Sequence, residues 1–147
     1  MTGVTNPECV FCQIVAGEAP ASVLYEDERV VAFMDIRPVN PGQLMVIPRE
    51  HVDHFCDLAD DLACHILVQA QRLSRNLRER LKPERVGLVV HGYGVAHAHL
   101  LVIPQHARDD ITSARLAYLE GGQIKFGARH LNETPPEELD RLARLLS

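Results

Sequence analysis

Leu58, Leu62, Ile66, Ala70, Leu73, Leu77 and Leu81 recur every three or four residues, a spacing that an α-helix turns into one continuous apolar stripe. Asp57, Asp60 and Asp61 suit the positive N-terminal end of that helix, and Pro83 marks its stop. A long helix with one apolar face needs a broad apolar surface to lie on. The segments around it supply one. Residues 22–26 (SVLYE) and 29–36 (RVVAFMDI) read as two β-rich runs joined across Asp27 and Glu28 as a hairpin. A third strand is expected at 43–47 (QLMVI), entered from Pro41-Gly42 and left at Pro48. Two more are expected at 86–90 (VGLVV) and 97–103 (HAHLLVI), separated by the turn-prone His91-Gly92-Tyr93-Gly94.

Beyond Pro104 the pattern weakens. Residues 105–131 are polar, with one strand expected at 123–128, and 105–134 receive no role. Thr134-Pro135-Pro136-Glu137 reads as a capping box with proline at the first helical position, opening a helix to about Leu146. The expectation is an α+β fold: an antiparallel sheet of about five strands, one long helix and a short C-terminal helix, in one domain over residues 1–147.

Composition excludes more than it selects. Fifteen Lys and Arg against 20 Asp and Glu give a formal net charge of -5, which argues against a broad basic face and against nucleic acid as a partner. No apolar run approaches the ~18 to 20 residues needed to cross a bilayer, so no membrane is expected. The first residues, MTGVTNPECVFCQI, lack the basic start and apolar core of a secretory signal. A reducing cytoplasm is therefore the expected compartment. Four cysteines are too few for a disulfide scaffold there, whereas Cys-x-x-Cys is more often a metal or redox motif. Eight histidines are the unusual count.

Three features carry the chemistry: Cys9-x-x-Cys12, His51 just after the strand that ends VIPRE, and His97-Ala98-His99. In a strand, residues i and i+2 face the same side, so both imidazoles look into one space. Taken alone, the CxxC is an incidental pair, a redox pair or half of a metal site. The His-x-His is a metal site, a satisfied core pair or chance.

The combination is more specific. CVFCQIVAGEAPASVLYEDERVVAFMDIRPVNPGQLMVIPREHV followed by GYGVAHAHLLVIPQ resembles the histidine-triad (HIT) superfamily, which includes the histidine-triad nucleotide-binding proteins; the likeness runs in register over about residues 9–104. The resemblance implies an antiparallel sheet with a long helix, paired as a homodimer. It also implies hydrolysis or transfer at the α-phosphorus of nucleotides through a covalent nucleotidyl-histidine on the middle histidine, here His99. One structural zinc per chain is implied, held by Cys9, Cys12, His51 and His97. Two thiolates and two imidazoles close a tetrahedral set and leave no open position for substrate. An attacking imidazole must be neutral at the reacting nitrogen, and a backbone carbonyl accepting the proton of the other nitrogen would fix the tautomer. Asp35 and Ile36 hold the positions that meet the ribose and base in this family, and the partner implied is a nucleotide or nucleotide conjugate.

The chain departs from the family pattern on the substrate side only. The third triad position is Leu101, the usual PGH reads Pro41-Gly42-Gln43, and the Gly-rich stretch before the triad is shortened to Gly92-Tyr93-Gly94-Val95-Ala96. Two readings follow: catalysis with an altered pocket, in which Gln43 supplies a neutral donor to the phosphate, or a zinc-stabilised binding or regulatory protein with little turnover. The unchanged His99 favours the first. His91, Gly92 and Gly94 are candidate phosphate neighbours, and His106 is a candidate replacement donor. His54 and His65 are expected at the surface or an interface, His130 is unassigned, and Cys56 and Cys64 are expected as core thiols.

Overall fold

The computed structural model describes residues 4–147. The apolar stripe forms α2 (Asp60–Leu81), the longest element, and Leu62, Ile66, Ala70, Leu73 and Leu77 are its buried face. Asp60 and Asp61 sit in its first turn and Arg78 and Arg80 in its last, each on the end its charge favours. Lys82 leaves the helix in the left-handed conformation (φ 51°, ψ 47°), and Pro83 offers no N–H to continue it.

The surface beneath α2 is a five-stranded antiparallel sheet made of β1 (Val23–Glu26), β2 (Val30–Met34), β3 (Leu44–Pro48), β4 (Arg85–Val90) and β5 (Leu100–Gln105). Its strand order is β1-β2-β3-β5-β4. The side chains Val30, Ala32, Met34, Leu44, Val46, Leu100 and Val102 form one core with α2 and with Leu139, Leu142, Ala143 and Leu146 of α3 (Pro136–Leu146). Full burial of a side chain such as Ile66 or Leu73 is worth roughly 2 kcal/mol.

Every residue of β2 and β3 is buried because the other face is covered too. Val31, Phe33, Met45 and Ile47 pack against Phe11, Cys9 and Cys12 around α1 (Val10–Val15). Val39, Ile103 and Leu131 form a third cluster with Val89, Leu101, Ile111 and Leu116. The register sets Phe33, Met45, Leu101 and Val89 side by side across β2, β3, β5 and β4. Leu101 joins the last two clusters, so the third triad position is apolar packing between two covers of the outer face.

Four expectations are corrected. The β5 ladder begins at Leu100, not at 97. Pro48 ends β3, and beyond it the Ala98 N–H bonds the Val52 carbonyl (2.7 Å). The alternation of sides survives, since Ala98 enters the core under α2 while His97 and His99 flank Phe11. The segment expected as one strand at 123–128 is a hairpin, β6 (Ala117–Glu120) and β7 (Gln123–Phe126), turned by Gly121 and Gly122, both at positive φ. Thr134 is not a helix cap: its N–H bonds the Ile36 carbonyl (2.8 Å), which draws the chain out, and Pro135 precedes the first helical residue. Cys56 and Cys64 are exposed.

His65 ties α2 to the β1–β2 turn through Asp27 (2.6 Å). Burial works against the Asp27 charge. Bonds from the Arg29 N–H, the Tyr25 hydroxyl, His65 and the Val30 N–H outweigh it and hold the carboxyl well below its usual range. A carboxylate depressed in the folded state stabilises above its unfolded pKa of about 3.9 and loses that contribution as pH falls. Asp27→Asn is therefore expected to cost about 2 kcal/mol at pH 7. The gap to the parent should narrow below about pH 4, as read by urea denaturation at several pH values.

Candidate functional site

Cys9 is the residue before α1 and Cys12 lies one turn into it, so three residues of spacing bring both thiols to one side. His51 follows β3 and is held there by its N–H on the Val4 carbonyl (2.6 Å). His97 lies before β5, fully buried. These four residues converge, their ligand atoms all within 4.8 Å of one another.

The spacing fits a metal ion. Cys9 Sγ lies 3.5 Å from His97 Nδ1, and Cys12 Sγ lies 3.4 Å from His51 Nδ1 and 3.6 Å from His97 Nδ1. A tetrahedron with metal–sulfur bonds of about 2.3 Å and metal–nitrogen bonds of about 2.05 Å has S···N edges of about 3.6 Å. His97 donates from Nε2 to the Pro48 carbonyl (2.8 Å), which leaves Nδ1 as the ligand atom. Burial, with His51 and His99 nearby, lowers the His97 pKa against the pull of that bond, favouring the neutral form a ligand needs. Burial raises the Cys12 thiol; the Asn6 N–H opposes it, and the bond its S–H donates to Cys9 and the Cys9 charge add to it. Two adjacent thiolates therefore call for a cation between them. The set could hold one metal ion, and its two sulfurs and two nitrogens suit zinc.

His99 is 8% exposed, edge-on to Phe11 at a centroid distance of 5.6 Å. Its Nδ1–H donates to the His97 carbonyl (2.7 Å), so Nε2 carries the free lone pair. The peptide that fixes His99 thus belongs to a residue of the metal cluster.

The other candidates divide. Asp35 and Gln43 meet on the outer face. Gln43 Nε2 donates to Asp35 Oδ2 (2.8 Å), and Gln43 Oε1 accepts the Val39 N–H (2.8 Å). Burial raises the Asp35 pKa, opposed by bonds from the Arg37 N–H and Gln43 and by the nearby His99. Ile36 beside it is 52% exposed. Gln43 is buried with both amide ends engaged, a role for Asp35 that the motif pattern did not disclose. His91, Gly92 and Gly94 lie on an exposed loop where His91 Nδ1 accepts the Tyr93 N–H (3.1 Å). His106 points its ring outward and uses its backbone N–H on Asp110 (2.7 Å). Two grooves, of about 410 and 330 Å³, lie along β4 and not at His99.

Residues 105–134 brace the loop that carries Asp35. Arg37 spans the carbonyls of Arg129 and Leu131 (3.2 Å each) and Glu133 (2.6 Å). Asn40 donates to the Pro104 carbonyl and to buried Asp110 (2.9 Å each) and accepts from Arg115 (3.1 Å). Sequence reasoning missed this brace because Arg37, Asn40 and Asp110 each read as ordinary loop residues.

Fold and site together define an α+β protein in which a Cys2His2 cluster fixes the peptide that orients a buried imidazole. The HIT domain family matches residues 16–108, and the chain belongs to that family. It is 37% identical over 124 residues to an uncharacterised HIT-like protein of Methanocaldococcus jannaschii, covering 81% of this chain and 87% of that one. A zinc-bound histidine triad family protein from Mycobacterium smegmatis superposes with a TM-score of 0.71 at 29% identity, over 93% of this chain and 91% of its own. A HIT family hydrolase from Legionella pneumophila superposes at 0.58 with 38% identity, over 65% and 91%. No helix among the described residues is long and apolar enough to cross a membrane.

Proposed function

We propose that this chain is a nucleotide hydrolase or nucleotidyl transferase of the cytoplasm that acts at the α-phosphorus of a nucleoside monophosphate derivative. Cys9, Cys12, His51 and His97 hold one structural zinc, which supplies no open coordination position for substrate, and free thiols awaiting metal suit a reducing compartment. The observation that carries the reading is the His99 Nδ1–H bond to the His97 carbonyl, which leaves Nε2 free to attack. Nε2 forms a bond to phosphorus as the bond to the leaving group breaks, and the leaving group takes a proton from solvent. Water then attacks phosphorus and gives a proton to solvent, the P–N bond breaks, and nucleoside monophosphate is released with His99 neutral again. Asp35 accepts from the ribose hydroxyls, Ile36 lies against the base, and the backbone of His91, Gly92 and Gly94 faces the phosphates; His106, beyond the far end of β5, takes no part in this reading. The ligand is a small nucleotide conjugate and not a nucleic acid.

Incubation with an adenosine phosphoramidate and with a dinucleoside polyphosphate tests this; the account expects nucleoside monophosphate to accumulate over many turnovers. A second reading, nucleotide binding with little or no turnover, is favoured by one observation: Leu101 is packed into apolar clusters and donates no proton. Saturable nucleotide binding without product over long incubation would establish that reading instead.

The assembly we propose is a homodimer through the β4 edge. Among the described residues β4 is the edge strand, beside β5, and it exposes Leu88 and Val90 (41% and 48%). The flank of α2 lines a groove with it through Gln71, Ser74 and Arg78, and Leu67 and Val68 are exposed one turn earlier (51% and 56%). An unpaired edge beside apolar side chains and arginines suits a self-complementary interface. Sedimentation should show a dimer at micromolar concentration and a folded monomer for Leu88→Arg; a parent protein that sediments as a monomer would contradict the assembly.

A further inference from the structure

Gln43 stands where a phosphate donor is expected, yet its amide is spoken for at both ends. The Val39 N–H donates to Oε1, and that contact fixes which way the amide faces. With the oxygen taken, the NH₂ can only turn toward Asp35, whose Oδ2 it meets at 2.8 Å. Backbone bonds hold the pair in register: the Asp35 N–H donates to the Gln43 carbonyl (3.0 Å), and the Gln43 N–H donates to the Asn40 carbonyl (3.2 Å). Gln43 itself is 4% exposed. A glutamine buried in this way has one of its two amide N–H donors on Asp35 and, at 4% exposure, presents little of the other to a phosphate.

Asp35 is half-buried. The groups that face it are the Arg37 N–H on its own turn, the Gln43 amide from β3 and, at longer range, His99 before β5. The Arg37 guanidinium is turned away onto Arg129, Leu131 and Glu133. Among the described residues two donors bond the carboxylate directly, one on each oxygen, and each oxygen keeps a further lone pair for a ligand.

We propose that Gln43 is a positioning residue that acts through Asp35: it fixes the carboxylate as an ionised acceptor for a vicinal diol, and so makes the site selective for ribonucleotides over deoxynucleotides. This inference rests on the ribose role given to Asp35 in the function proposed above. Removing the amide leaves Asp35 half-buried with one donor. Its titration should move up, and its hold on hydroxyl donors should weaken, while phosphate contacts stay as they are.

The test uses Gln43→Leu, with Gln43→His as the conservative variant that restores an N–H donor. The probes are AMP and 2′,3′-dideoxy-AMP, with affinities measured by calorimetry. The parent should prefer AMP. Gln43→Leu should lose about tenfold in AMP affinity, the scale of one hydrogen bond to a charged group, with little change for the dideoxy compound, and Gln43→His should recover part of the loss. An equal loss for both ligands, or a preference kept intact in Gln43→Leu, would overturn the inference while leaving nucleotide binding in place. A parent that binds neither ligand would overturn the proposed function as well. The Asp35 carboxyl titration, followed by carbon-detected NMR without ligand, is the check that needs no binding. It should shift upward in Gln43→Leu, and an unchanged titration in a folded variant would refute the positioning role.

Discussion

Replacing Cys9 by Ser is expected to remove the zinc and destabilise the protein together. Parent protein should carry about one zinc per chain by elemental analysis, and the variant well under that. The stability loss should be on the order of 3 kcal/mol by urea denaturation, well short of the ~10 to 16 kcal/mol that zinc gives a finger peptide with no core of its own. The difference has a structural reason. The main core under α2 uses none of the ligand residues, so metal loss frees α1 and its outer cover but leaves the sheet and α2 in place. Chelating the parent should reproduce the variant's denaturation curve. Cys56→Ser should change neither metal nor stability, since that thiol is exposed and outside the cluster. Stoichiometric metal retained in Cys9→Ser would refute the ligand set.

His99→Asn is expected to abolish turnover, by about 10³-fold or more, while zinc content and the denaturation midpoint stay close to those of the parent. His97→Ala should lose metal and turnover at once. The contrast follows from the geometry: His97 gives Nδ1 to the cluster and its carbonyl to His99, whereas His99 touches the cluster only through that carbonyl. Residual turnover of more than a few per cent in His99→Asn would show that another group attacks phosphorus.

Much of this was legible before any coordinates. The stripe from Leu58 to Leu77 placed α2, because burial on one side of a helix leaves a period that loops and strands do not. The metal cluster was legible through family register; Cys12 and His51 are 39 residues apart in sequence, and spacing alone did not join them. Cys64 was misread although the signal was present: two residues from both Leu62 and Ile66, it falls about 200° around the helix from each, on the solvent side. The Gly121-Gly122 pair between two β-rich runs likewise announced the β6–β7 hairpin, but the polar runs around it obscured the period. Gln43 could not have been read this way. Its partners Val39 and Asp35 are four and eight residues away across a turn, and no local pattern says which end of an amide is occupied.

The central claim is that phosphorus passes through His99. The most direct measurement mixes the protein with an adenosine phosphoramidate, quenches in denaturant within the first turnovers, and reads the mass of the peptide containing His97 and His99. The account predicts a gain of one adenylyl group on that peptide, absent in His99→Asn. Product formed with no adduct at any quench time, or an adduct that persists in His99→Asn, would contradict it.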